Sequence, residues 1–129
     1  MEVLRLDHWV LTVKDIERSI RFYHEILGMK PVSYAGGRIA LEFGNQKINL
    51  HQAGHEVKPH AANPLPGSAD MCFITTAQLE EVSTFLAQRG IEILEAGIVN
   101  RTGALGAIRS IYIRDPDQNL VEISNYVSL

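Results

Sequence analysis

Cysteine is nearly absent: Cys72 stands alone in 129 residues. An internal disulfide is therefore impossible, which excludes a disulfide-stapled scaffold and fits a reducing, cytoplasmic setting. Basic charge is scarce as well. Twelve Lys and Arg against 15 Asp and Glu give a net charge of -3, so neither a nucleic acid nor an anionic membrane finds a basic patch or tail to hold. Long hydrophobic runs are also missing; the longest are about five residues, far from the ~20 that span a bilayer. No basic segment leads into an apolar stretch at the start, so no signal peptide is expected. What is there is ordinary for a globular chain, with 46% hydrophobic and 21% charged residues. The length suits one domain that buries about two-thirds of its unfolded surface. Cys72, in the apolar run Met71-Cys72-Phe73-Ile74, reads as packing rather than as a nucleophile.

The order of elements repeats. Leu4 to Val13 reads as a strand, and Asp15 is placed to cap a helix running to about Leu27, with Ile16, Ile20, Tyr23 and Leu27 on one stripe. Gly28 occupies a helix C-cap position, and three strands follow near 29–35, 37–43 and 47–52, separated by Gly36-Gly37 and Gly44-Asn45. A loop over 53–68 carries three prolines and the histidines His55 and His60, both expected in solvent. Then the order returns: a strand over 69–75, a helix capped by Thr76 with the stripe Leu79, Val82 and Leu86, a stop at Gly90, and strands near 91–98, 107–114 and 119–126. The expectation is an α+β chain of two βαβββ modules, about 4–52 and 69–126, joined by the linker 53–68. A unit of roughly 60 residues buries little alone, so the two are expected to share one mixed sheet system with helices outside.

Equivalent places in a duplicated unit should face the same way. Val121 and Ile123 flank Glu122, so strand alternation turns this carboxylate away from them. On an inward face it needs a positive partner: a metal ion, or a structural arginine or lysine. Trp9, Leu11 and Val13 alternate with His8, and Met71 and Phe73 with Asp70. Ile48 and Leu50 likewise match Val121 and Ile123. His8, Asn49, Asp70 and Glu122 then fall at equivalent places on the faces away from the helices, with His51 one pair beyond Asn49. If the sheets curl into a cup, these residues converge. Imidazole and carboxylate are donor types for zinc, manganese, iron, cobalt or nickel.

These residues also carry a resemblance. Leu6-Asp7-His8-Trp9-Val10-Leu11-Thr12-Val13-Lys14-Asp15, with Phe22-Tyr23 and Leu27-Gly28, is similar to the opening of vicinal oxygen chelate proteins: glyoxalases, fosfomycin-resistance proteins and extradiol dioxygenases. Tyr112, Asp115-Pro116-Asp117 and Glu122 resemble their closing signature, and the likeness runs from Leu4 to about Tyr126. The small glyoxalase-domain proteins labelled dioxygenase- or lactoylglutathione-lyase-related look most alike. The resemblance implies a glyoxalase-like cup, with His8 and Glu122 as ligands to a divalent metal (Zn, Ni, Mn, Co or Fe). It also implies a homodimer, in some members with each site completed by both chains. Two departures stand out. Asp70 occupies a place where the family commonly has histidine, so His51 is the candidate second imidazole. Asn49 occupies a place where glyoxalases often have Glu or Gln. Gln118 also replaces a glycine usual in the turn.

Further candidates surround this set. Arg101, in the loop Asn100-Arg101-Thr102-Gly103-Ala104-Leu105-Gly106, can hold an anionic substrate group. Tyr112 faces the same side as Ser110 and can bond a substrate oxygen. His24, beside Tyr23, is expected at the surface. The function expected is a metal-dependent enzyme on a small oxygen-rich substrate, with Glu122 as ligand and base. Its chemistry is isomerase- or lyase-like, or that of an extradiol dioxygenase. The alternative is a metal-free module that sequesters a small molecule, as in the antibiotic-resistance branch.

Overall fold

The computed structural model describes residues 1–128 and divides them into two compact units, residues 1–68 and those from Ala69 onward. Unit 1 contains β1 (His8–Val13), α1 (Ile16–Glu25), β2 (Lys30–Tyr34), β3 (Arg38–Phe43) and β4 (Gln46–Gln52). Unit 2 repeats the order with β5 (Asp70–Ile74), α2 (Leu79–Gln88), β6 (Val99–Gly103), β7 (Gly106–Arg114) and β8 (Leu120–Tyr126). Each unit is a four-stranded mixed sheet, ordered β1-β4-β3-β2 in one and β5-β8-β7-β6 in the other. The first and last strands of each unit run parallel, and the other neighbours are antiparallel. The expected α+β fold of two βαβββ modules is what the chain adopts. Among the described residues, no helix is long and apolar enough to cross a membrane.

The helices form where the signals pointed, with adjustments. Asp15 caps α1 through its side chain, which accepts from the Arg18 amide at 3.1 Å, and Gly28 follows in the left-handed region at φ +69. The buried stripe is Ser19, Phe22 and Tyr23, whereas Ile16, Ile20 and Leu27 are only half-buried. Thr76 does not cap α2. The N-cap is Gln78, which gives no side-chain bond, and Asn125 of β8 accepts from the Leu79 amide at 3.2 Å instead. A helix start needs an acceptor for its free N–H groups, and a neighbouring strand supplies it here.

Two strands sit later than expected. β1 begins at His8 because its only neighbour, β4, begins at Gln46, and the register pairs His8 with Lys47. Residues 4–7 therefore run past the end of the ladder, and Leu4 and Leu6 are exposed. The segment 91–98 is not a strand. Glu95 at φ +55 and Gly97 at φ +84 break the backbone, and β6 forms from the polar stretch after them.

In unit 1 the apolar face holds Leu11, Val13, Leu41, Ile48 and Leu50, all buried, with Tyr23 and Phe22 of α1. In unit 2 it holds Met71, Ile111, Ile113, Val121 and Ile123, with Leu79 and Leu86 of α2. Each such side chain contributes about 1.5–3 kcal/mol by leaving water. The opposite face of each sheet carries the polar candidates, interspersed with Val10 and Ala40 in unit 1 and with Ile74 and Ile108 in unit 2.

Candidate functional site

In unit 1 the register places His8 beside Lys47, Val10 beside Asn49 and Thr12 beside His51. Parallel neighbours in register share a face, so His8, Asn49 and His51 lie together on the face away from Leu11 and Ile48. Ala40 of β3 pairs with Asn49, and one pair further the register brings Arg38 beside His51. Tyr34 of β2 pairs with Arg38. Tyr34, Arg38, His51 and Thr12 thus form one row across all four strands.

His8 is exposed at the start of its strand, and its Nδ1 lies 2.7 Å from Asp7 Oδ2. The carboxylate can only accept, so Nδ1 donates and the neutral ring keeps its lone pair on Nε2. A carboxylate behind an imidazole in this way is how metal-binding histidines are oriented. The hydrogen bond to His8 holds the Asp7 carboxyl below the usual carboxylate range, against a smaller opposing effect of desolvation.

Asn49 and His51 are deeper, each 4% exposed. Asn49 Oδ1, both ring nitrogens of His51, Arg38 Nε and the Tyr34 hydroxyl are buried without a hydrogen-bond partner among the described residues. Burial pushes the His51 imidazole below its ordinary pKa. The Arg38 charge acts in the same direction, and Glu56 opposes it. The Arg38 guanidinium lies 5.1 Å from the Tyr34 ring centre, and the Lys47 ammonium 3.9 Å from it.

In unit 2 Asp70 pairs with Leu120 and Cys72 with Glu122, while Tyr112 pairs with Glu122 and Ser110 with Ser124. The two registers match place for place: Asp70 stands where His8 does, Glu122 where Asn49 does, and Ser124 where His51 does. Ser110 Oγ donates to Glu122 Oε2 at 2.5 Å, Ser124 Oγ lies 2.7 Å from Ser110 Oγ, and Cys72 Sγ lies 3.4 Å from Ser124 Oγ. Each hydroxyl has one proton, so an ionised Glu122 sets the direction: thiol to Ser124, Ser124 to Ser110, Ser110 to the carboxylate. Cys72 is therefore not core packing. Alternation sends Met71 into the core and leaves Cys72 exposed on the polar face, with desolvation pushing its thiol above the ordinary range. Glu122 meets no lysine or arginine among the described residues, so the structural ion pair weighed for it does not form.

Asp70 is exposed at the start of β5. Arg101 lies on β6 rather than in a loop. Its Nε donates to the Tyr112 hydroxyl at 3.0 Å, and its guanidinium lies 5.3 Å from that ring's centre. His24 is exposed, with Nδ1 2.8 Å from the Met29 carbonyl; His55 and His60 are exposed in the linker.

The Asp-Pro-Asp turn sets the position of Glu122. Asp115 is buried, and its Oδ1 accepts from the amides of Asp117 and Asn119, both at 2.9 Å. Its Oδ2 accepts from Asn119 Nδ2 at 2.8 Å, and Asn119 Oδ1 accepts from the Ala69 amide at 2.8 Å. One turn therefore fixes the end of β7, the start of β8 and the entry to β5.

The structure thus gathers His8, Asn49 and His51 on one face, and Asp70, Glu122, Arg101 and Tyr112 on another. Among the described residues, no three His, Cys, Asp or Glu side chains form a group able to hold a metal ion. Asp7, Tyr34, Arg38, Ser110 and Ser124 were not singled out as site residues from the sequence. Asp7 had a signal, a carboxylate adjacent to a strand histidine; Arg38 and Tyr34 had none until the three-residue turn between β2 and β3 fixed their register.

Comparison with known proteins decides the family. The Glyoxalase/Bleomycin resistance protein/Dioxygenase superfamily model matches residues 5–123. The chain belongs to this superfamily. It is 57% identical over 127 residues to Virulence protein STM3117 of Salmonella typhimurium, covering 98% of this chain and 88% of that protein. The crystal structure of that relative matches with a TM-score of 0.96 over 98% of this chain and 100% of the other. Glyoxalase domain-containing protein RDO1 of Mycosarcoma maydis is 50% identical over 126 residues, covering 98% of this chain and 70% of that protein. Lactoylglutathione lyase from Agrobacterium tumefaciens shares the fold, with a TM-score of 0.70 at 24% identity over 94% and 92% of the two chains.

Proposed function

We propose that this protein is a metal-dependent enzyme acting on a small, oxygen-rich substrate, with glyoxalase- or lyase-like isomerisation ahead of extradiol dioxygenase-like chemistry. The observation that carries this reading is how His8 and Glu122 are held. Each is bonded from behind, His8 by Asp7 and Glu122 by Ser110, and each keeps an unshared donor atom: Nε2 of His8 and Oε1 of Glu122. Neither is engaged by a protein cation. Nitrogen and carboxylate oxygen donors of this kind fit a divalent first-row metal. In a homodimer, His8 of one chain with Asp70 and Glu122 of the other would hold it, with Asn49 or His51 as a further donor. Bound there, the ion would act as a Lewis acid toward neighbouring substrate oxygens.

The chain's own groups have separate tasks in this proposal. Glu122 is the general base once substrate displaces it from the metal, its freed oxygen taking the proton while Ser110 holds the other. Arg101 and Tyr112, joined through the hydroxyl, present a cationic edge to a substrate oxygen, and Asn49 offers an amide oxygen to a substrate donor. A homodimer belongs to the same reading.

Metal content is the direct test. Elemental analysis of protein purified without added metal should find about one divalent ion per chain in the parent, lost in both His8→Ala and Glu122→Gln. Turnover of a hemithioacetal with zinc, nickel or manganese, against a catechol with iron, then separates the two reactions. No metal under any reconstitution condition would overturn the enzyme reading. It would favour a metal-free binding module, which the unpartnered polar atoms of unit 1 also support.

A further inference from the structure

The row on unit 1 has more unused hydrogen-bonding capacity than the metal reading consumes. Arg38 Nε and the Tyr34 hydroxyl are buried donors without acceptors, and Asn49 Oδ1 is a buried acceptor without a donor. His51, 4% exposed, adds one N–H and one lone pair, neither of them used. Buried polar groups that a fold leaves unpaired are costly, and a guanidinium N–H most needs an anionic oxygen.

We propose that Tyr34, Arg38, Asn49 and His51 form a binding site for a small monocarboxylate with a hydroxyl next to the carboxyl group. Arg38 Nε–H and the Tyr34 hydroxyl donate to the two carboxylate oxygens, and the ligand's hydroxyl donates to Asn49 Oδ1. His51 can then donate or accept as the ligand requires. Arg38 brings the cation whose N–H is buried and unpartnered in this row, which one carboxylate matches; Lys47, on the Tyr34 ring, is opposed by Glu42, its neighbour in the register, and Glu56 acts on His51 from the linker. Ala40, directly beside Asn49 in the register, adds no polar atom to compete for Asn49 Oδ1. This site deepens the enzyme reading by naming its substrate class, and it rests on that reading for catalysis alone, because all of its residues lie in unit 1.

Glycolate is the probe, titrated by NMR into chelator-treated protein so that the outcome does not depend on metal. Saturable binding is expected with a dissociation constant in the millimolar range, given how little a ligand of this size can contribute. Arg38→Gln and His51→Leu should each weaken it by at least about tenfold, and Tyr34→Phe by roughly three- to tenfold. Arg38→Lys should not restore it, because a lysine has no N–H at the Nε position. Ethylene glycol, which lacks the carboxylate, and inorganic phosphate should both bind at least about tenfold more weakly. If Arg38→Gln fails to fold by circular dichroism, Tyr34→Phe carries the test, since it removes a single oxygen. Absent saturation, unchanged affinity in the folded variants, or equal binding of glycol or phosphate would overturn the proposal. A protein that never holds metal yet binds glycolate would sink only the enzyme reading; one that holds metal but not glycolate would sink only this one.

Discussion

The two units are built on one plan and finish it differently. At matching places, unit 1 has Arg38, Asn49 and His51 where unit 2 has Ser110, Glu122 and Ser124. The unit 2 set is bonded to itself, hydroxyl to hydroxyl to carboxylate, whereas in unit 1 Arg38 Nε, Asn49 Oδ1 and both His51 ring nitrogens are buried without a hydrogen-bond partner among the described residues. The hairpins differ in the same sense. Unit 1 joins β3 to β4 with two residues, Gly44 at φ +52 taking the first central position of a tight turn. Unit 2 joins β7 to β8 through five residues, Asp115 to Asn119, tied together by buried side chains. Internal bonding fixes Glu122 in advance of any ligand. The unit 1 set keeps hydrogen-bonding capacity that no described residue uses.

Breaking the braced turn should have the largest effect. Asp115→Ala leaves two backbone amides and the Asn119 side chain without their acceptor, in a buried site. The expected loss is about 3 kcal/mol, with a fall in Tm on the order of 10 °C. The counterpart in unit 1, Asn45→Ala, should stay within roughly 0.5 kcal/mol. Urea unfolding of both variants checks this. Equal losses would mean that the turn's internal bonds do not distinguish the units.

How far this contrast was legible in the sequence depended on what fixes each part. Alternation around Glu122 and His8 gave the correct faces, because a strand's period of two is local and strong. The duplication then identified Asp70 and Asn49 as the register equivalents of His8 and Glu122 without any spacing motif. Arg101 was misplaced because apolar Ile91, Ile93 and Leu94 read as strand. The chain instead turns at Glu95 and Gly97, and the Leu94 amide bonds to the Tyr112 carbonyl. The β4 register likewise decided where β1 begins. The unpartnered row of Tyr34, Arg38 and His51 was invisible, since it exists only once three strands are in register.

Substitutions within the polar faces should move stability in opposite directions. Ser110→Ala removes a fully buried hydroxyl that bonds Glu122 and Ser124, so a loss of about 2 kcal/mol is expected. His51→Leu removes ring nitrogens that no described residue bonds. Its stability should be unchanged or higher by up to about 1 kcal/mol, the usual sign at a position kept for binding rather than folding. Thermal denaturation of the pair measures the difference. A large loss in His51→Leu would show that the ring is held by the fold after all, and the contrast between the units would shrink accordingly.

The smallest effect lies in the turn itself. Gln118 sits at φ +70, a left-handed conformation that costs a residue with a Cβ about 1–2 kcal/mol. Unit 1 puts Gly44 at the positive φ of its own turn, and a glycine is free to adopt it. Unit 2 instead tolerates a glutamine, because the bonds from Asp115 to Asn119 on either side hold the backbone in place. Gln118→Gly should therefore stabilise the protein by up to about 1 kcal/mol, part of the relieved strain being offset by the greater freedom of glycine in the unfolded chain. The same substitution in an Asp115→Ala background should gain less, since a loosened turn no longer forces residue 118 into the left-handed region. A double-mutant cycle reads this coupling directly. Strict additivity would mean that the strain at Gln118 belongs to the short connection between β7 and β8, not to the buried carboxylate that braces it.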